Sequence, residues 1–199
     1  IILVGAPWYL KGVDVLIAAF LELADDFPDL RLKLLGHYPD ADAFRKLTHG
    51  SDRVEILRAV RYPEALEMIA GASVLALPSR CEGMGRVLIE AMAAGVPVVG
   101  SDVGGIPYMI REGENGFVVP VEDARKLSAR LRELLSNEDL RRRLGEQGRE
   151  MALSLWSEQV YVDEFTRMVR ASTECGRNSD QAARDARGVT PAPPAARRF

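Results

Sequence analysis

Two carboxylates carry the strongest chemical signal in this sequence. Glu82 and Glu90 stand eight positions apart in S-R-C-E-G-M-G-R-V-L-I-E-A-M-A-A-G (79–95), with Gly83 and Gly85 between them. From Val87 to Val99, Glu90 is the only ionisable side chain. A carboxylate on an otherwise apolar helix needs a partner, because burying an uncompensated charge is costly. That partner is either structural, such as an Arg or helix-terminal amides, or a ligand hydroxyl. The loop before the helix has chemistry of its own. A glycine-containing turn leading into a helix start presents free backbone N–H groups and the positive end of the helix dipole, which suits a phosphate. Arg86, in the first helical turn, opposes the dipole's preference for acids at a cost of about 0.3–1 kcal/mol unless an anion lies nearby. A solvent-facing Arg is the plain alternative. Gly83, Gly85 and Leu88 also form G-x-G-x-x-L, a partial dinucleotide fingerprint, with Asp102 placed as the ribose-binding acid. Its third glycine is missing, however, and its first lies well beyond Pro78 rather than directly after a strand.

The elements that must hold these residues follow from periodicity. Short apolar runs at 1–4, 31–35, 54–57, 73–77, 96–99 and 116–119 predict strands. Helical patterns lie at 13–24, 40–48, 63–70, 86–94, 106–111, 124–135, 140–153 and 158–169. Proline at the first turn of the third pattern and Gly95 after the central one fit a helix start and a helix stop. Strands that are apolar throughout, alternating with helices, imply a parallel sheet covered on both faces. The predicted class is α/β, a doubly wound, parallel, six-stranded Rossmann-like sheet spanning 1–171. A tail at 172–199, rich in Ala, Arg and Pro, is expected to be disordered. Ligands of such sheets sit at the carboxyl ends of strands near the switch point. The loops to inspect therefore follow Gly5, Gly36, Leu57, Pro78 and Ser101.

Composition narrows the function classes. With 199 residues, 47% of them apolar, the chain can bury one sizeable core. A net charge of -3 without a basic face argues against nucleic acid as a partner. Cys81 and Cys175 give neither a disulfide framework nor metal spacing, so a reducing, cytoplasmic compartment is expected. No apolar run is long enough to span a bilayer, and no secretory signal is visible. The chain opens I-I-L-V-G inside a strand pattern and without Met, so it is expected to be a piece of a longer protein. Arg141 to Arg143 reads as a solvated helix face, with peripheral contact to an anionic inner membrane surface as the alternative. His37 and His49 lack partners at ligand spacing. His37 could line a nucleotide pocket, and Trp8 could face the cleft or cap the sheet edge.

E-G-M-G-R-V-L-I-E-A-M-A-A-G-V-P-V-V-G-S-D-V-G-G-I-P resembles the nucleotide-sugar site of retaining glycosyltransferases with the GT-B fold, in particular glycosyltransferase family 4 (group 1). The likeness covers about 1 to 170. It includes Lys11-Gly12, the L-P-S strand end, G-E-N-G-F-V-V-P and the Trp156-Ser157 pair. It implies the carboxyl-terminal, donor-binding half of a two-domain enzyme, inactive as an isolated fragment. Lys11 and Glu82 would be the catalytic groups, with Lys11 neutralising the leaving diphosphate. The implied donor-binding set is Gly5, Lys11, Glu82, Gly83, Met84, Gly85, Arg86, Val87 and Glu90. Glu82 would take sugar hydroxyls, the amides of Arg86 and Val87 the diphosphate, and Glu90 the ribose. The implied partners are a UDP-, GDP- or ADP-linked sugar and an amino-terminal acceptor domain of the same enzyme. No cofactor or metal is implied.

Three positions depart from that family's usual pattern. Ala6 stands where an Arg often assists the Lys, Arg58 replaces a Gly after the third strand, and Tyr108 replaces a Glu after G-I-P. Charge compensation could then be shared by Arg58, Arg61 or Arg86. Two other readings stay open on the residues alone. One is an NAD-binding Rossmann oxidoreductase module using Asp102, and the other is a degenerate transferase domain kept for protein contacts.

Overall fold

The computed structural model describes residues 1–37, 46–58, 60–160, 162–163 and 166–167. Six parallel strands form one sheet: β1 (Ile2–Val4), β2 (Leu32–Leu35), β3 (Val54–Leu57), β4 (Leu75–Leu77), β5 (Val98–Ser101) and β6 (Gly116–Val119). Their order is β3-β2-β1-β4-β5-β6. The chain builds outward from β1 to β3, then returns to the centre and lays β4 against the other side of β1. The doubly wound class is therefore as expected, and its switch point lies between β1 and β4.

Six helices are described: α1 (Val13–Leu23), α2 (Tyr62–Ala70), α3 (Arg86–Ala93), α4 (Ile106–Met109), α5 (Ala124–Ser136) and α6 (Glu138–Trp156). Alternation along the strands divides the core in two. Leu3, Leu32, Leu34, Ala76, Val99 and Phe117 point to the face covered by α1 and α5. Ile2, Leu75, Leu77 and Val98 point to the face covered by α3, α4 and Ile69 of α2. Both faces of the central strands are buried, which is why most strand positions are apolar; the charged exceptions, Lys33 of β2 and Glu55 of β3, are only partly buried. On α1, Val13, Leu16, Phe20 and Leu23 are fully buried, each contributing about 1.5–3 kcal/mol of burial. Leu144 of α6 belongs to one core and Ala152 to the other, so this helix passes from one face to the other.

α6 also makes the tightest helix contact. A Cβ at Gly145 would lie 2.0 Å from the Gly95 carbonyl oxygen, and one at Gly148 would lie 3.2 Å from Met92 Cγ. The backbone of α6 thus lies directly on the carboxyl end of α3. Asn115, fully buried, completes the junction. Its side-chain amide donates to the Met109 carbonyl at 2.9 Å and contacts the Met92 and Met151 sulfurs at 3.1 and 3.2 Å.

Most element boundaries shift by one to three residues from expectation, and two of the shifts have consequences. β5 begins at Val98 rather than 96, because Pro97 has no N–H for the ladder and contributes only its carbonyl, which accepts from Leu75 N–H at 3.1 Å. α6 runs to Trp156, which packs on the second core. Residues 1–156 form one compact unit and 157–199 another. In the second, Gln159 Nε2 donates to Asp163 Oδ1 at 2.9 Å. Most of the helix expected at 40–48, part of that at 158–169 and the tail at 172–199 lie outside the described residues.

Candidate functional site

The loops after β1 and β4 meet at the switch point with no side chain between them. Gly12 precedes α1 at φ 66°, and a Cβ there would sit 1.9 Å from the Pro78 carbonyl oxygen, so only glycine fits. This contact seats Lys11 beside the end of β4. Lys11 Nζ lies 2.6 Å from Glu82 Oε2, and the two side chains are only 18% and 10% exposed. Gly5 flanks the lysine stem, 3.1 Å from where its own Cβ would stand to Lys11 Cε. Ser79 Oγ donates to the same Glu82 oxygen at 3.2 Å, while Ser101 Oγ donates to the Ser79 carbonyl at 2.5 Å. Both serines are fully buried, tying the ends of β4 and β5 together beneath the pair. Among the described residues, no hydrogen bond reaches Glu82 Oε1.

The V-G-G-I-P segment supports the backbone that carries this carboxylate. Gly104, at φ +57°, would place a Cβ 1.8 Å from the Glu82 carbonyl oxygen, and Gly105 would place one 2.6 Å from that of Gly83. Gly105 N–H donates to the Gly83 carbonyl at 2.7 Å. The 82–83 turn therefore rests on bare backbone. From there the chain enters α3 through Gly85 at φ 65°, with no side-chain cap on the helix start. The first amides of α3, those of Arg86 and Val87, are available to an anion. Met84 is 56% exposed in the same turn.

Glu90 lies one turn further along α3, with its side chain 18% exposed. Its Oε1 accepts from the Tyr62 hydroxyl at 3.1 Å and lies 3.7 Å from Arg86 Nη2, at the i,i+4 spacing. The structural partner considered for this carboxylate is thus present on one oxygen. Among the described residues, Oε2 accepts no hydrogen bond. Partial desolvation and the nearby Glu90 charge push the Tyr62 phenol above its ordinary value. Tyr62, 28 positions away in sequence, was not legible as a member of this cluster.

Arg80 is the other residue that sequence reasoning missed. Nη1 and Nη2 reach Asp14 Oδ1 and Oδ2, each at 2.8 Å, and Nη1 also reaches the Tyr9 carbonyl at 2.7 Å. Nε donates to Glu122 at 2.7 Å, and the guanidinium carbon stands 4.2 Å from the Tyr9 ring centre. Burial alone would raise the Asp14 carboxyl, but the Arg80 fork and charge outweigh it and hold the group below its usual range. The same hydrogen bonds hold the Arg80 guanidinium above its ordinary value against burial.

The remaining candidates fall elsewhere. Asp102 is exposed at the end of β5, and the Gly83–Gly85 loop follows β4, whereas a dinucleotide fingerprint belongs after β1. His37 is exposed. His49 and Trp8 line a concavity of 820 Å³ beside Ile17, Leu21 and Leu47. Arg58 is exposed, and Arg61 is paired with Glu64. Tyr108 is 88% exposed. The three arginines at 141–143 do not present one free face. Arg141 donates to the Leu134 and Leu135 carbonyls, Arg142 to Asp139, and Arg143 to the Gly113 carbonyl. Among the described residues, no helix is long and apolar enough to cross a membrane.

Comparison with known proteins bears on this arrangement. The family model described as glycosyl transferases group 1 matches residues 1–151. N-acetyl-alpha-D-glucosaminyl L-malate synthase of Bacillus anthracis is 32% identical over 158 residues, covering 78% of this chain and 41% of that protein. Sucrose-phosphate synthase of Thermosynechococcus elongatus superposes with a TM-score of 0.77 at 27% identity, covering 87% of this chain and 45% of that one. Anabaena HepE, crystallised with UDP, shares the fold with a TM-score of 0.75 at 21% identity, over 85% of this chain and 48% of its own. The chain spans about two fifths of the length of the curated relatives it matches.

Proposed function

Because the chain belongs to the group 1 glycosyltransferases, we propose that it is the donor-binding half of a retaining, family 4 enzyme with two such halves, the acceptor being held by an amino-terminal domain. The observation that carries this reading is the Lys11–Glu82 contact at the β1/β4 switch point, 2.6 Å long and mostly buried. A cation and a carboxylate fixed side by side beside an uncapped helix start match the two ends of a sugar diphosphate.

In this reading the α3 amides and Lys11 hold the diphosphate. The bond between the anomeric carbon and the phosphate oxygen breaks, and Lys11 offsets the charge that develops on that oxygen. Glu82 Oε1 takes a donor-sugar hydroxyl while Oε2 stays with Lys11 and Ser79. Glu90 Oε2 takes a ribose hydroxyl, and a site built around that bond disfavours a deoxyribose. The acceptor hydroxyl oxygen bonds the anomeric carbon on the face the phosphate leaves and its proton passes to the departing phosphate oxygen, so configuration is retained. Lys11 supplies the positive charge, so no divalent cation is invoked. We place the reaction in the cytoplasm, where nucleotide sugars would reach the site.

Calorimetric titration of the chain with UDP, GDP and ADP tests the reading. One of them is expected to bind, with affinity lowered by Glu82→Ala and Glu90→Ala. Failure of all three to bind the wild-type chain would sink the proposal. Tyr108 and Ala6 favour a second reading, a degenerate domain kept for protein contacts. That reading predicts that both Glu→Ala changes in the full-length protein leave its biological role intact.

A further inference from the structure

The donor-binding reading leaves Arg80 without a task, although its side chain is only 13% exposed and heavily bonded. Its side chain grips the chain on both sides of Lys11. Two residues before, it takes the Tyr9 carbonyl and lies against the Tyr9 ring; three residues after, it takes both oxygens of Asp14. Its own N–H donates to the Leu10 carbonyl at 2.8 Å. Arg80 is also two residues from Glu82, so both members of the Lys11–Glu82 pair hang from this one residue. A third loop joins through Glu122, a non-glycine residue held at φ 62°, whose carboxylate meets Nε.

Most of the guanidinium's hydrogen-bonding capacity is used within the protein. Of about five N–H groups in the fork, Asp14, Tyr9 and Glu122 engage four. What the residue can do is restrict where Lys11 stands. A lysine stem has four rotatable carbons, and its ammonium is well placed only if its backbone is fixed.

We infer that Arg80 is a positioning residue for diphosphate recognition, acting on the donor through Lys11 by clamping the loop on both sides of that lysine. The ligand in this statement rests on the donor-binding reading; the clamp does not.

Two measurements on the 199-residue chain test it. The first is a double-mutant cycle read by calorimetry with UDP, GDP and ADP. Arg80→Gln is expected to weaken the best-bound diphosphate about tenfold in the wild-type background and by less than about twofold in Lys11→Ala. An equal loss in both backgrounds, or none in either, overturns the inference. The second needs no nucleotide: pulsed acetylation of lysines followed by mass spectrometry. In Arg80→Gln, Lys11 should be acetylated at least about threefold faster while Lys33 and Lys126 keep their rates. Arg80→Lys, which keeps the charge but not the fork, should fall between. An unchanged Lys11 rate, or an equal rise at all three lysines, overturns the clamp. If no diphosphate binds the wild-type chain, the donor-binding reading fails, and labelling alone decides whether Arg80 holds Lys11.

Discussion

The carboxyl edge of the sheet carries two clusters of paired charges built in opposite ways. At the switch point, Lys11, Glu82, Arg80 and Asp14 are mostly shielded, and Arg80 makes charge-assisted bonds of 2.7–2.8 Å to two carboxylates and a carbonyl. On α3, Arg86 is 78% exposed and reaches Glu90 only at 3.7 Å, with the Tyr62 hydroxyl as the other contact. The first cluster is anchored from three loops. The second has one close hydrogen bond and an exposed arginine free to move. On the donor-binding reading, the contrast corresponds to fixed recognition where charge is placed against the reacting bond and adjustable recognition further along the donor.

Mutations should separate the two clusters by size of effect. The largest is expected at the backbone supporting the first one. Gly104→Ala would force a methyl group into the Glu82 carbonyl at a positive φ, and we expect a loss of about 2–4 kcal/mol in urea denaturation. Arg80→Gln should cost about 3 kcal/mol by the same measurement, since it leaves Asp14 unpaired. A cost below that of Arg86→Gln would erase the distinction drawn between the clusters.

Asp14→Asn should cost about 1–3 kcal/mol at pH 6, and its pH dependence sharpens the comparison. The folded carboxyl is depressed below its ordinary value of about 3.8, so its contribution is present above that pH and is lost as pH falls through the lower folded value. The stability of wild type and Asp14→Asn should therefore converge below about pH 3.8. Tyr62→Phe is expected to cost about 0.5–1.5 kcal/mol. Arg86→Gln should change stability by less than about 0.5 kcal/mol, because its ion pair is exposed and long. It should lower affinity for a nucleotide diphosphate all the same.

The fold was readable because its signals are local. Apolar strand runs and a helix pattern stopped by Gly95 need only neighbouring residues, and where Pro97 was read as strand the error was its missing N–H. The candidate site was readable in part. Arg86 and Glu90 are one helical turn apart, so their proximity follows from spacing. Lys11 and Glu82 are separated by 71 positions, and Arg80 and Asp14 by 66. Neither pair has a local signature. They meet because β4 returns to lie beside β1, a fact of topology; resemblance to a family pointed to the first pair, and nothing in the sequence pointed to the second. Arg80 in isolation reads as an ordinary surface arginine after a strand.

The seating of α6 on the carboxyl end of α3 limits how the molecule can respond to a ligand. With Gly145 pressed against the Gly95 carbonyl and Gly148 against Met92, the carboxyl end of α3 is anchored on α6. On the donor-binding reading, a diphosphate at the start of α3 is then accommodated within the 82–85 turn rather than by movement of the helix's anchored end. A fluorescent or spin reporter at position 84 is expected to respond to a nucleotide diphosphate on that reading, while one near the far end of α3 is expected to stay silent.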